Sequence, residues 1–180
     1  MKRCLISIAL SLFSLASQAQ EFRLTSSDIQ HGEQVKDANV LNGSGCSGGN
    51  TSPALSWSGE PSGTKSFAIT MFDPDAPTGS GWWHWTLVNI PKDVHYLKAD
   101  AGSTDGTKIP VGSVQGRTDF GRPGYGGPCP PTGTHRYHFK VWALKVEKLP
   151  IDANSSGAMV GYMLNTNSVA TAELIPISTR

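Results

Sequence analysis

The sequence predicts a mostly β fold with a single domain. Twenty glycines and twelve prolines occur among 180 residues, and Trp, Phe, Tyr and Val stand in short runs that alternate with polar residues. Such runs, separated by segments rich in Gly and Pro, are typical of strands joined by elaborated loops. The chain carries no internal repeat, heptad pattern or low-complexity tract. Its length fits one ordinary domain that buries its own core.

Residues 1–19 have the order of a secretory signal peptide, with Lys2 and Arg3 first, then an apolar run, then small residues up to Ala19. We expect cleavage after Ala19, a single domain over 20–180, and a periplasmic or secreted protein. The apolar run is too short to cross a hydrocarbon core of about 30 Å, so we expect no transmembrane anchor. Cleavage removes two cations and no acid, which lowers the formal net charge from +1 to −1. A nearly neutral chain gives no electrostatic basis for binding nucleic acid.

Two cysteines, Cys46 and Cys129, remain after residue 19. Cysteines of an exported chain meet an oxidising compartment, where they are more often joined than free. We therefore predict a Cys46–Cys129 disulfide between two loops rich in Gly and Pro. The alternatives are free thiols or one reactive cysteine.

The first strands are predicted by period-two alternation. Residues 21–24 predict a short strand, 32–42 an edge hairpin, and 50–58 a turn that leads into another short strand. Residues 66–72 alternate cleanly and are apolar on both faces, which predicts a strand buried on both sides.

The second half begins with a predicted strand over 83–90 that places His84, Thr86 and Val88 on one face. A short strand follows at 109–114, interrupted by proline and glycine. The segment 119–134 is too long for an ordinary connection, which indicates a functional loop or one held by contacts.

The strongest strand pattern covers 135–144 and places His135 and Tyr137 on the core face. Residues 154–165 predict one short helix, whose apolar face would be formed by Met159, Tyr162 and Met163. A last strand is predicted over 170–177.

An acidic, proline-stiffened turn, residues 73–77 (DPDAP), follows the strand 66–72. Each proline fixes its own φ and restricts the residue before it, so the two carboxylates have little freedom. If the strand alternation continues, Asp73 and Asp75 share a face at the strand end. The alternative is a surface turn with solvated acids. Three tryptophans around His84 favour a binding site.

Three strand ends thus supply a carboxylate pair, two histidines and a phenol. Imidazoles can be charged near neutral pH, and a phenol can donate a hydrogen bond to a phosphate or carboxylate oxygen. This set of groups indicates a receptor for a small anion.

The segment 73–77 with His84, and the segment 130–137 (PPTGTHRY), resemble the two signature regions of the phosphatidylethanolamine-binding protein family. The match is closer to its bacterial, Raf-kinase-inhibitor-like branch, whose N-terminal motif residues 50–57 (NTSPALSW) resemble. The resemblance covers essentially the whole chain after residue 19.

This resemblance implies a large central antiparallel sheet packed on a smaller second sheet, with few short helices and one anion pocket near a sheet end. Family members bind phosphate, phosphorylated headgroups or similar anions, and some eukaryotic members inhibit kinases. The matching pocket residues are Asp73, Asp75, Pro77, His84, Pro130, His135 and Tyr137. Cys129 stands where those relatives carry glycine, and the segment between Pro77 and His84 is short, so kinase binding is not carried over.

The resulting hypothesis is an exported protein without a cofactor that binds phosphate, phosphoethanolamine or a similar anion, and that can act on an unknown protein partner through its pocket. One alternative is a hydrolase of phosphoesters or acyl esters that uses the Asp and His residues, with Cys129 as nucleophile if its thiol is free. Another is a divalent-metal site of two histidines and two carboxylates, although the sequence lacks the H-x-H or H-x-x-x-H spacing.

Overall fold

A computed structural model describes residues 21–180, so the predicted signal peptide and its cleavage site lie outside the described residues. The described chain forms two larger sheets, two short ladders and one α-helix, which confirms the mostly β class. The strands are β1 (Arg23–Thr25), β2 (Asn42–Gly43), β3 (Cys46–Ser47), β4 (Leu55–Ser58), β5 (Ser66–Asp73), β6 (Trp82–Pro91), β7 (Tyr96–Leu97), β8 (Val114–Gln115), β9 (Thr134–Arg136), β10 (His138–Leu144), β11 (Ser168–Leu174) and β12 (Ile177–Thr179). No helix among residues 21–180 is long and apolar enough to cross a membrane.

The central sheet is antiparallel, with five strands in the order β11-β10-β5-β6-β8. Its middle strand β5 is buried along its length except at Phe72, as its apolar alternation predicts. Ile69 of β5 belongs to the main core, whereas its neighbour Ala68 faces a second core under the helix. The central sheet is therefore covered on both faces.

A smaller sheet, in the order β1-β4-β7, closes the main core. Leu55 and Trp57 of β4 pack in the same apolar cluster as Ile69 and Val141 of the central sheet. This confirms the expected arrangement of a large sheet on a smaller one.

The helix α1 (Gly157–Asn167) packs on the central sheet through a face that includes Met163 but neither Met159 nor Tyr162 of the predicted apolar face. Met159 and Tyr162 are 51% and 67% exposed, while Gly157 and Gly161 are buried with two apolar neighbours. A Cβ at Gly157 would lie 2.2 Å from Cγ of Trp83. The prediction failed because the helix approaches Trp83 through its glycines and not through its large side chains.

Some strand predictions were wrong in their bounds. The segment 32–42 contains a 3-10 helix at Asp37–Asn39, and the hairpin is formed instead by β2 and β3. The strand predicted over 109–114 is reduced to β8, because Pro110 lacks the N–H that a ladder needs. The strand predicted over 170–177 ends at Leu174, and its last residue belongs to β12.

The two loops expected to be joined are linked by a disulfide between Cys46 of β3 and Cys129. The Cα atoms lie 6.1 Å apart, and the bond closes a segment of 83 residues. The β2–β3 hairpin is thereby fixed against the loop that leads into β9.

Candidate functional site

A bulge at the start of β6 determines where His84 lies. Phe72 pairs with Trp83 and Met71 pairs with Trp85, so His84 is an extra residue between two pairs. A bulge of this kind redirects a side chain locally. His84 consequently packs against Tyr137, whereas Val88 lies in the second core under α1, and the predicted common face of His84 and Val88 was wrong.

The long strand pattern over 135–144 is also interrupted at the site. Residues 134–136 form β9, which pairs with β12, and Tyr137 joins β9 to β10. His135 and Tyr137 are both buried, as their alternation predicts, although they belong to two different ladders.

These strand ends surround a cavity of about 180 Å³. The lining residues are Leu41, Ser44, Asp73, Ala76, Pro77, Thr78, Trp82, His84, Phe120, Cys129, Pro130, Pro131, His135 and Tyr137. The structure thus brings together every residue predicted for the pocket except Asp75.

Asp73 is the buried carboxylate of the cavity wall. Its Oδ1 accepts a hydrogen bond from the backbone N–H of Asp75 at 2.8 Å, and its Oδ2 accepts one from Nδ1 of His135 at 2.8 Å. The first contact shapes the turn and the second orients the histidine. Asp73 therefore both hydrogen-bonds within the turn and lines the cavity, and its burial does not fit the alternative of a solvated surface acid.

Asp75 lies outside the cavity and binds Arg136. Its carboxylate accepts from Nε and Nη2 of Arg136 at 2.9 and 2.8 Å and from the Arg136 backbone N–H at 2.9 Å. The hydrogen bonds from Arg136 lower the pKa of Asp75 to about 2. This ion pair ties the acidic turn to β9 from the outer side.

His84 is held by a backbone carbonyl. Its Nδ1 lies 2.7 Å from the oxygen of Gly126, and its Nε2 lies 4.0 Å from Oδ2 of Asp73. The rings of Phe120 and Tyr137 pack edge-to-face against it at 5.3 and 5.2 Å. Burial lowers the pKa of His84 to about 4, which favours the neutral ring.

Tyr137 supplies a free donor to the cavity. Its side chain is fully buried, and within residues 21–180 its hydroxyl has no hydrogen-bond partner. Burial raises the pKa of this phenol above its ordinary value, so it keeps its proton. A buried donor without an acceptor is uncommon in native proteins and points to a ligand or ordered water.

Sequence reasoning did not identify several lining residues. Phe120 comes from the long loop 119–134, whose length was the available signal, and Leu41 and Ser44 come from the segment attached by the disulfide. Trp82, one of the three tryptophans that favour a binding site, lines the cavity, and its buried Nε1 has no acceptor among the described residues. No local sequence pattern marks Leu41 or Ser44 as part of the site.

The same geometry bears on metal binding. Within residues 21–180, no group of three or more His, Cys, Asp or Glu side chains is arranged to hold a metal ion. The oxygen of Asp73 nearest both histidines is already hydrogen-bonded to His135. The arrangement gives the metal alternative no support.

Comparison with known proteins identifies the family. Residues 25–177 match the family model described as phosphatidylethanolamine-binding protein. The chain belongs to this family. It is 61% identical over 179 residues to the protein YbcL of Escherichia coli K12, with 98% of each chain covered. It is 48% identical over 153 residues to YbhB of the same organism, covering 84% of this chain and 96% of YbhB.

Solved structures of phosphatidylethanolamine-binding protein relatives share the fold. The crystal structure of E. coli YbcL, described as a new member of the mammalian PEBP family, superposes with a TM-score of 0.88 at 64% identity, covering 89% of this chain and 99% of that one. A homologue from Chlamydia trachomatis, CT736, gives a TM-score of 0.73 at 29% identity over 88% of this chain and 97% of that one.

Proposed function

We propose that this chain binds a small oxyanion, either phosphate or a phosphorylated headgroup, in the cavity at the ends of β5, β6 and β9. The observation that carries the proposal is the hydroxyl of Tyr137, a fully buried donor in the cavity wall with no acceptor among residues 21–180. A negatively charged oxygen is the acceptor that such a donor binds most strongly.

His135 supports the same proposal. Its Nδ1–H donates to Asp73, so a ring that carries both protons has its Nε2–H available for a ligand. The negative charge of Asp73 is offset by the two N–H groups that it accepts, which lessens its repulsion of an anion.

The size of the cavity fits a small ligand. Its volume is about 180 Å³, whereas sites for drug-sized ligands measure about 300–1,000 Å³. Family membership also supports a phosphorylated headgroup, because the matching family model is named for binding phosphatidylethanolamine.

Export to the periplasm or beyond is part of the proposal. It is supported by the signal-peptide order of residues 1–19 and by the Cys46–Cys129 disulfide, which suits an oxidising compartment. A protein partner that presents a phosphate to the cavity is compatible with the same chemistry.

The hydrolase alternative lacks an observation in its favour. Cys129, the candidate nucleophile, is engaged in the disulfide. Among the lining hydroxyls, that of Thr78 donates to the carbonyl of Gly81 at 2.6 Å.

Isothermal titration calorimetry with phosphate and phosphoethanolamine tests the proposal. We expect saturable binding at one site that weakens at least about tenfold in His135→Ala, because a hydrogen bond to a charged group is lost. His31→Ala, a change at an exposed histidine, is the matched control and should bind as wild type does. Absence of heat with both anions, or equal binding by the two variants, would contradict the proposal, and turnover of a phosphoester that His135→Ala abolishes would favour the hydrolase.

A further inference from the structure

The environment of His84 determines which of its ring nitrogens carries a proton. The oxygen of Gly126 can only accept a hydrogen bond, and it lies 2.7 Å from Nδ1. Nδ1 therefore carries the hydrogen. In a neutral ring the other nitrogen, Nε2, is then an acceptor with no hydrogen of its own.

The surroundings of His84 favour the neutral ring. The imidazole is buried between the rings of Phe120 and Tyr137, which pack edge-to-face with it, and burial lowers its pKa to about 4. The titratable groups that face it from the packed elements are Asp73 of β5, Asp119 of the long loop, His135 of β9 and Tyr137.

Neither nearby carboxylate offers Nε2 a partner that would hold a proton there. Asp73 lies 4.0 Å from Nε2, beyond hydrogen-bond distance, and already accepts from His135 and Asp75. Asp119 accepts from the backbone N–H of Trp83 at 2.7 Å. Both carboxylates are thus hydrogen-bonded to other groups.

We propose, on the basis of the anion-binding function above, that the cavity selects oxyanions that carry an O–H group. The cavity is lined by Tyr137, whose hydroxyl is a donor, and by His84, whose Nε2 is an acceptor. Hydrogen phosphate and the monoanion of a phosphate monoester can satisfy both groups. Their charged oxygens accept from the Tyr137 hydroxyl, and their one hydroxyl donates to Nε2 of His84. Sulfate has acceptors only and places one of them against the lone pair of Nε2. A site that accepts a ligand O–H discriminates strongly against an analogue that lacks it.

The same chemistry distinguishes the possible sources of the phosphate. The phosphate of an intact phospholipid is a diester and has no O–H, whereas free phosphate and the monoester phosphoethanolamine can carry one. The cavity should therefore bind free phosphate or a released headgroup more tightly than the diester.

Calorimetric titration at pH 6 with matched ligands tests this selectivity. We expect inorganic phosphate to bind about tenfold or more tightly than sulfate, methyl phosphate to exceed dimethyl phosphate similarly, and phosphoethanolamine to exceed glycerophosphoethanolamine. Equal affinities within these pairs would overturn the inference and leave anion binding intact. Absence of binding by every ligand would instead refute the proposed function, and the inference with it.

A pH series adds an internal control. A phosphate monoester loses its last proton at about pH 6, whereas inorganic phosphate retains an O–H at pH 8. The affinity of inorganic phosphate relative to methyl phosphate should therefore rise between pH 6 and 8. A constant ratio would contradict the inference.

The variant His84→Asn removes the acceptor Nε2 but keeps a donor for the carbonyl of Gly126. An asparagine amide can still donate to the carbonyl of Gly126 but has no counterpart of Nε2. We expect the preference for phosphate over sulfate to fall to about twofold or less, from the loss of one hydrogen bond. His138→Asn, on the opposite face of the central sheet, should keep the wild-type preference.

Nitrogen-15 NMR of wild-type His84 gives a readout that does not depend on the variant's folding. The neutral Nδ1–H tautomer should persist with phosphate bound. An imidazolium in the complex would make Nε2 a donor and overturn the inference.

Discussion

His135 donates from Nδ1 to Oδ2 of Asp73 across 2.8 Å, and both side chains are buried. The two residues are 62 positions apart, on β9 and at the end of β5, two strands that are not paired with each other. The orientation of the histidine therefore depends on a side-chain hydrogen bond between separate ladders and not on sheet register.

Replacing Asp73 by asparagine should weaken both folding and binding. The change removes a charged partner of His135, and hydrogen bonds to charged groups contribute about 1.5–3 kcal/mol. We expect the free energy of unfolding in urea to fall by about this amount and phosphate affinity by about tenfold. Asp75→Asn, in the same turn but outside the cavity, is the control and should lower affinity far less. If Asp73→Asn bound phosphate with wild-type affinity, His135 would not need the charged carboxylate of Asp73 to bind the anion.

Replacing Tyr137 by phenylalanine should weaken phosphate binding without lowering the stability of the fold. The donor is lost, so phosphate affinity should fall about tenfold or more, while removal of an unpartnered buried hydroxyl should leave stability unchanged or raise it by up to about 1 kcal/mol. Tyr125 provides a matched control, because its buried hydroxyl donates to the carbonyl of Asn39 at 2.8 Å outside the cavity. Tyr125→Phe should lose about 1 kcal/mol of stability and keep wild-type affinity. Calorimetry and urea unfolding measure both quantities, and the opposite pattern would contradict the role of Tyr137.

The Asp75–Arg136 pair should stabilise the protein only above acidic pH. The pKa of Asp75 is about 2 in the folded chain against an ordinary 3.8. A lowered carboxyl pKa stabilises the fold above the unfolded value, and this contribution is lost as pH falls through the folded value. Since both side chains are partly exposed, we expect about 0.5–1 kcal/mol between wild type and Asp75→Asn at pH 7. The difference should shrink between pH 4 and 2 in urea unfolding, and a difference that grows there would have the wrong sign.

Removing the disulfide should loosen the cavity as well as the fold. The bond closes 83 residues, and a loop of that length corresponds to about 4.5 kcal/mol in the chain-entropy account. The attached segment carries Ser44, a lining residue, so phosphate affinity should fall in the double variant Cys46→Ser with Cys129→Ser. A thiol reductant should reproduce the effect in wild type and leave the double variant unchanged. Equal urea-unfolding midpoints for the wild type and the double variant would argue against a structural role of the disulfide.

The apolar alternation along the chain is sufficient to predict the central strands and their buried faces. The apolar alternation of β5 predicted its burial, and that of β10 predicted the core face on which Phe139 lies. Alternation could not reveal the bulge at His84 or the change of ladder at Tyr137, because both depend on pairing with distant strands. The helix face was mispredicted for a similar reason, since the contact between Gly157 and Trp83 is tertiary.

The candidate site was predictable where several ionisable or hydrogen-bonding residues stand close together in the sequence. The acidic turn, the two histidines and Tyr137 stand in two short segments, and the family resemblance relates those segments to one pocket. Phe120 and Leu41 carry no chemistry that marks them, and only the fold brings them to the cavity. Asp75 is a predicted pocket residue through the family resemblance, and strand parity through the turn places it on the face of Asp73, whereas Arg136 holds its carboxylate outside the cavity.

The location of an oxyanion bound in a crystal shows whether this cavity is the anion site. Arsenate is a heavier analogue of phosphate that keeps an O–H, and anomalous scattering from crystals of the protein soaked in it would locate the arsenic atom. We expect one strong peak in the cavity, with an arsenate oxygen within hydrogen-bond distance of the Tyr137 hydroxyl and another near Nε2 of His84. Arsenic bound elsewhere, with no peak in this cavity, would contradict it.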